Sequence, residues 1–255
     1  MKLALLLAVP AAVSGDQHSR SLEEANLSSS VIAGYTTTYA VDRGFDVDLK
    51  SIEDAIDCVD GCPNVDSVAI ANWAAATSIW QDDLKAELQG LEGKHFDTYS
   101  AYYYGSDTFV DDFVGAALNG TGVFEGKPAI VREECVLKGA AYNGIWLDVL
   151  SKLEMAIAKV GESDTLPSAL WDEAWVLYAG ALEGADGSGS GAMLYNLADK
   201  RCSNFLTCND DGTALANVHA LEAFQRGQAC AALKDDACMT HSLSQIVEQM
   251  QVPFV

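Results

Sequence analysis

Residues 129–160 read AIVREECVLKGAAYNGIWLDVLSKLEMAIAKV. Leu137, Ala141, Ile145, Val149, Leu153 and Ile157 recur every four residues, and Ile130 lies one helical repeat earlier. On a helix of about 3.6 residues per turn this spacing draws one apolar stripe. Gly161 ends the pattern, as glycine does just past a helix. A long amphipathic helix is thus the anchor of the reading. Towards the C-terminus, Pro167 and Ser168 open a helix over Ala169–Glu183, and Gly184–Gly191 is a Gly/Ser connection. Helices over Ala192–Leu206, Ala214–Leu233 and Ser242–Gln251 follow.

Towards the N-terminus, His95–Phe113 is aromatic and helix-compatible, interrupted at Gly105. Val65–Leu91 predicts a long helix with Val68, Ala71, Ala75 and Ile79 on one side. Asp48 or Ser51 caps a shorter helix to Val59, and the Thr- and Tyr-rich Tyr35–Val47 reads as extended. No alternating series is long enough for a central sheet. The fold expected is all-α: a single-domain helical bundle with disulfide-closed loops and a partly extended N-terminal segment.

Residues 1–15, MKLALLLAVPAAVSG, have the layout of a secretory leader: one lysine, a short apolar run, then small residues. The domain plan is a leader over 1–15, a flexible tail over 16–34 and a helical domain over 35–255. No later run is long enough for a membrane span, so no membrane insertion is expected after cleavage. The localisation expected is secreted or periplasmic. Six of the seven cysteines form local pairs, Cys58/Cys62, Cys202/Cys208 and Cys230/Cys238, which in an oxidising compartment read as small disulfide loops. Thiolate zinc ligation is the rival reading, disfavoured because none of the spacings is C-x2-C. Cys135 is left over as a buried free thiol. Sequons at Asn26-Leu27-Ser28 and Asn119-Gly120-Thr121 fit the same route and a glycoprotein.

The chain of 255 residues carries 15 Lys plus Arg against 37 Asp plus Glu, a formal charge of −22. No large basic face can form, which excludes a nucleic-acid partner and disfavours anionic membranes. The partners expected are cations. With 49% hydrophobic residues the chain can bury a core, so the informative acids are those on apolar helices.

Trp171-Asp172-Glu173-Ala174-Trp175-Val176-Leu177-Tyr178 is apolar around almost the whole helix. Buried carboxylates there need a cation or several hydrogen bonds; their place in the first turns, where the helix dipole favours acids, accounts for them equally. Arg132-Glu133-Glu134 opens the long helix, and Glu134 either pairs with Lys138 or meets acids from another helix. His219 and Glu222 lie three apart, so they share a helix face. This is a metal-pair spacing, though a solvated helical histidine is commoner. His95-Phe96-Asp97-Thr98-Tyr99 and Tyr102-Tyr103-Tyr104 add imidazole, carboxylate and phenol, oxygen donors that suit ferric iron, or else ordinary core aromatics. The chain lacks G-x-S-x-G and H-E-x-x-H. The loop at Asp210-Asp211-Gly212 fails as an EF-hand, because Val218 stands at the position of the bidentate acid.

Arg132-Glu133-Glu134, the block WDEAWVLYAG at Trp171–Gly180, and Leu197-Ala198-Asp199-Lys200-Arg201 before Phe205 resemble the algal low-iron-inducible periplasmic proteins, also called iron-assimilation or high-CO2-inducible proteins. His95–Tyr99 with Tyr102-Tyr103 fits the same pattern, and the resemblance covers residues 45–230. It implies an exported, iron-regulated protein that aids iron uptake by binding iron outside the cell. The function expected is therefore a non-enzymatic iron-binding protein that assists uptake under iron limitation beside a cell-surface iron transport system. The ligands expected are Glu134, Asp172, Glu173, His219 and Glu222, with His95 and Tyr178 as outsiders. Two other classes stand beside it: a carboxylate-bridged di-iron oxidase of ferroxidase type, which needs two ligating histidines, and a non-catalytic matrix or cell-surface protein.

Overall fold

The computed structural model describes residues 30–39, 45–56 and 67–254. The leader, Asn26 and the Cys58/Cys62 pair lie outside the described residues. The fold is all-α, with one small hairpin. Strand β1 (Ser30–Ile32) pairs antiparallel with β2 (Tyr35–Thr37), Ile32 opposite Tyr35. Both turn residues, Ala33 and Gly34, have positive φ, the twist that a two-residue hairpin needs. The hairpin begins inside the stretch 16–34 expected to be a mobile tail. Its Ile32, Ala33 and Tyr35 are buried, because a lone two-stranded ribbon is not stable in water and this one leans on the helices.

The helices are α1 (Phe45–Ile56), α2 (Ser67–Ile79), α3 (Lys94–Tyr102), α4 (Phe109–Asn119), α5 (Ala129–Lys138), α6 (Trp146–Ala158), α7 (Leu166–Ala179), α8 (Leu194–Phe205), α9 (Leu215–Ala232) and α10 (Asp236–Gln251). A π turn, Trp80–Leu84, continues α2 into a last α turn, Lys85–Glu87. A second π segment, Gly139–Ile145, joins α5 to α6, so the long helix runs unbroken from Ala129 to Ala158.

Two four-helix rings share this long helix. Its first half packs in the ring α1–α2–α4–α5, and its second half in the ring α6–α7–α9–α10. Of the stripe, Ala141, Ile145, Val149 and Leu153 are buried as the spacing predicts, while Leu137 and Ile157 are half-buried. Ile130 is not: it is 48% exposed, because α5 starts at the surface. Along α2 and its π turn the buried face is Ala76, Trp80 and Leu84, whereas Ala75 is exposed. Helix α1 begins at Phe45, earlier than Asp48, and α10 begins at Asp236 rather than Ser242. There Asp235 caps the first turn by accepting from the Cys238 N–H at 3.0 Å.

Helix α7 sits at the centre. Every residue from Leu170 to Ala179 is buried, as its all-round apolar face implies. Trp171 donates to the Phe224 carbonyl at 2.9 Å, and Trp175 to the Ile32 carbonyl at 3.0 Å. Gly227 on α9 has no side chain because the Trp171 ring occupies that space. Gly180, with φ +86°, ends α7; a Cβ there would meet the Asp46 carboxylate at 2.6 Å. Disulfides Cys202–Cys208 and Cys230–Cys238 form, the second bracing the turn between α9 and α10. Cys135 is free and half-buried rather than buried. No described helix is long and apolar enough to cross a membrane.

Candidate functional site

The two acids of α7 are committed to structure. Asp172, 1% exposed, accepts four hydrogen bonds: Oδ1 from the Tyr35 hydroxyl at 2.8 Å and the Gln228 amide at 2.6 Å, Oδ2 from the Thr38 N–H at 2.8 Å and its hydroxyl at 2.9 Å. The carboxylate therefore fastens β2 to α7 and α9. Glu173, 5% exposed, pairs with Lys152 of α6 at 2.9 Å, and the Tyr39 hydroxyl stands 3.4 Å from the same oxygen. A buried ion pair of this kind is costly to break from one side.

The other expected ligands lie apart from these two acids and from one another as a set. His219 and Glu222 are exposed on α9. His95 is held by Glu154 of α6, with Nδ1 2.6 Å from Oε1. Tyr178 is buried and donates to Asn217 at 2.6 Å. Glu134 is exposed on α5 and ion-paired with Lys138. Among the described residues, no group of three or more His, Cys, Asp or Glu side chains is placed to hold a metal ion.

A buried acidic corner was not visible in the sequence. Asp46 accepts from the Leu182 N–H at 2.6 Å, Glu183 from the Gly191 N–H at 3.0 Å, and Asp199 from the Ala214 N–H at 2.7 Å and the Asn217 amide at 2.8 Å. Burial raises all three carboxyls above the usual range. Glu183 is pushed up to about 7, first by burial and then by the charges of Asp199 and Asp46, against the Gly191 N–H. Each acid holds one end of a loop or helix, which is a structural role.

A cavity open to solvent lies where the two rings meet. Its volume is about 630 Å³. The π segment Gly139–Ile145 forms one wall and contributes Tyr142 and Asn143; α5 supplies Glu134 and Lys138, and α6 supplies Trp146. Tyr99 of α3 and Phe254, after α10, close the sides. Tyr99 and Trp146 lie with ring centroids 5.6 Å apart, and Tyr142 meets Phe254 edge-on at 5.8 Å. The π turn is a rare distortion that is enriched at functional sites. Gly139 lets Phe113 of α4 approach, since a Cβ would meet its ring at 2.9 Å. Burial raises the Tyr142 phenol, with Glu134 and Glu53 pushing the same way and Arg201 opposing. Its hydroxyl therefore stays a donor at neutral pH.

Of the five ligands read from the sequence, Glu134 alone lines this cavity. Tyr142, Trp146 and Phe254 were missed. The signal for them was weak: two glycines, Gly139 and Gly144, inside an otherwise good helix. The arrangement offers a mostly apolar, aromatic enclosure with a few polar groups at fixed places, the usual chemistry of a small-ligand site. Compared with family models, characterised proteins and solved structures, the chain finds no match.

Proposed function

We propose that this is an exported binding protein of iron assimilation, which captures iron outside the cell under iron limitation and holds it for a cell-surface transport system. The observation that carries the reading is Glu134: the acid that ends the Arg132-Glu133-Glu134 stretch lines the cavity where the two rings meet, as do the phenols Tyr99 and Tyr142. Carboxylate oxygen is a donor that hard ferric iron prefers. The resemblance of three sequence stretches to the low-iron-inducible proteins, the leader-like residues 1–15 and the charge of −22 point the same way. Two disulfides agree with an oxidising compartment.

Isothermal titration of the chain from Asp16 onward with neutral tris-maltolato iron(III), with ferric citrate and with Fe2+ under nitrogen tests the reading. The expected result is saturable iron binding, weakened at least about tenfold by Glu134→Gln and unaffected by His219→Ala. No saturable binding overturns the proposal. Loss on His219→Ala with none on Glu134→Gln moves the site to α9.

A further inference from the structure

We propose that the cavity takes iron as an intact, near-neutral chelate of a small ring-bearing organic ligand, rather than as a bare ion; this rests on the iron reading above and names its substrate class.

The volume is the first reason. About 630 Å³ is the size of a site for an organic molecule and far exceeds what one ion needs. The donor count is the second. Ferric iron fills an octahedral shell of oxygen or nitrogen donors. The cavity offers one carboxylate, Glu134, already paired with Lys138. No described group of three His, Cys, Asp or Glu side chains completes a shell there or elsewhere. An iron whose own ligand fills its shell asks for something different: flat walls for the rings and hydrogen-bond donors for the outer oxygens. Tyr99, Trp146 and Phe254 provide the walls. The Lys138 ammonium, the Tyr142 hydroxyl and the amides of Asn143 and Gln251 provide the donors.

Charge decides among chelates. Glu134 and Lys138 cancel at the rim, and a protein of charge −22 repels polyanionic complexes. A neutral hydroxypyranone type of complex fits both conditions.

Equilibrium dialysis of the mature chain against neutral tris-maltolato iron(III), with iron and maltol both assayed, reads the difference. The expected result is that iron and maltol are retained together in the ratio of the complex. Metal-free maltol should bind at least about tenfold more weakly, and Phe254→Ala should weaken the complex by a similar factor. Phe254 is 47% exposed, so this variant keeps the core, and Gln251→Leu gives a second one that removes a donor only. If the protein retains iron while maltol leaves, the iron reading stands and the chelate inference falls. If neither is retained, with ferric citrate also unbound, both fall. Equal binding of metal-free maltol, or binding unchanged in both variants, also overturns the inference.

Discussion

At the scale of single residues, a carboxylate's meaning depends on its donors. Asp172 has four, from Tyr35, Thr38 and Gln228, so its negative charge is fully employed in holding the hairpin to the bundle. Charge-assisted hydrogen bonds of this kind are the strong ones. Asp172→Ala leaves the Tyr35 hydroxyl, the Thr38 N–H and the Gln228 amide without their acceptor. The expected loss is about 3 kcal/mol of unfolding free energy by urea denaturation. A loss of under about 0.5 kcal/mol would remove the fastening role. The sequence showed that this residue was buried and costly, and named a cation or hydrogen bonds as the two remedies. It could not choose between them, because Tyr35 and Thr38 stand well over a hundred positions away in the chain.

At the scale of elements, the turn that follows α7 carries a pH dependence. Glu183 is 1% exposed and holds the Gly/Ser connection by accepting from the Gly191 N–H, with Asp46 and Asp199 as its charged neighbours and the Tyr195 phenol on α8 nearby. Asp186 of the connection and Asp48 of α1 are the next acids along. Its folded value of about 7 lies above the ordinary 4.5, so the folded chain holds the proton more tightly. The stability from this group is complete below about 4.5 and is lost as pH rises through about 7. Thermal unfolding of Glu183→Gln beside the unaltered protein should therefore show a gap that moves in favour of the variant between about pH 5 and about pH 8. A constant gap would mean that Glu183 does not titrate in that range. The π segment is the other lesson at this scale. A four-residue repeat reads as one straight helix, and the run from Ala129 to Ala158 is indeed continuous. The widened turn packs against α4, where Gly139 meets Phe113, a contact that no local pattern encodes.

At the scale of the whole molecule, the −22 charge is mostly a surface property. Such an excess repels itself in the compact state. Raising sodium chloride from about 10 mM to about 1 M shortens the screening length from about 30 Å to about 3 Å. The urea midpoint should therefore rise with salt. A falling midpoint would show that exposed pairs such as Lys50–Asp54 and Lys138–Glu134 outweigh the repulsion. The charge also bears on function, since it favours neutral or cationic cargo over polyanionic cargo at the cavity.

By itself the sequence determined the all-α class, the long striped helix and the burial of α7, and it suggested the local cysteine pairs that the structure joins at Cys202–Cys208 and Cys230–Cys238. These rest on relations between residues close in the chain: helical periodicity and short cysteine spacings. The tertiary structure decided the rest. It brought Tyr35 to Asp172 and Lys152 to Glu173, left His219 and Glu222 in solvent, and opened an aromatic cavity beside Glu134 where two four-helix rings share one helix. Those outcomes depend on which distant side chains meet, and periodicity records only which face of a helix is buried, not what it is buried against.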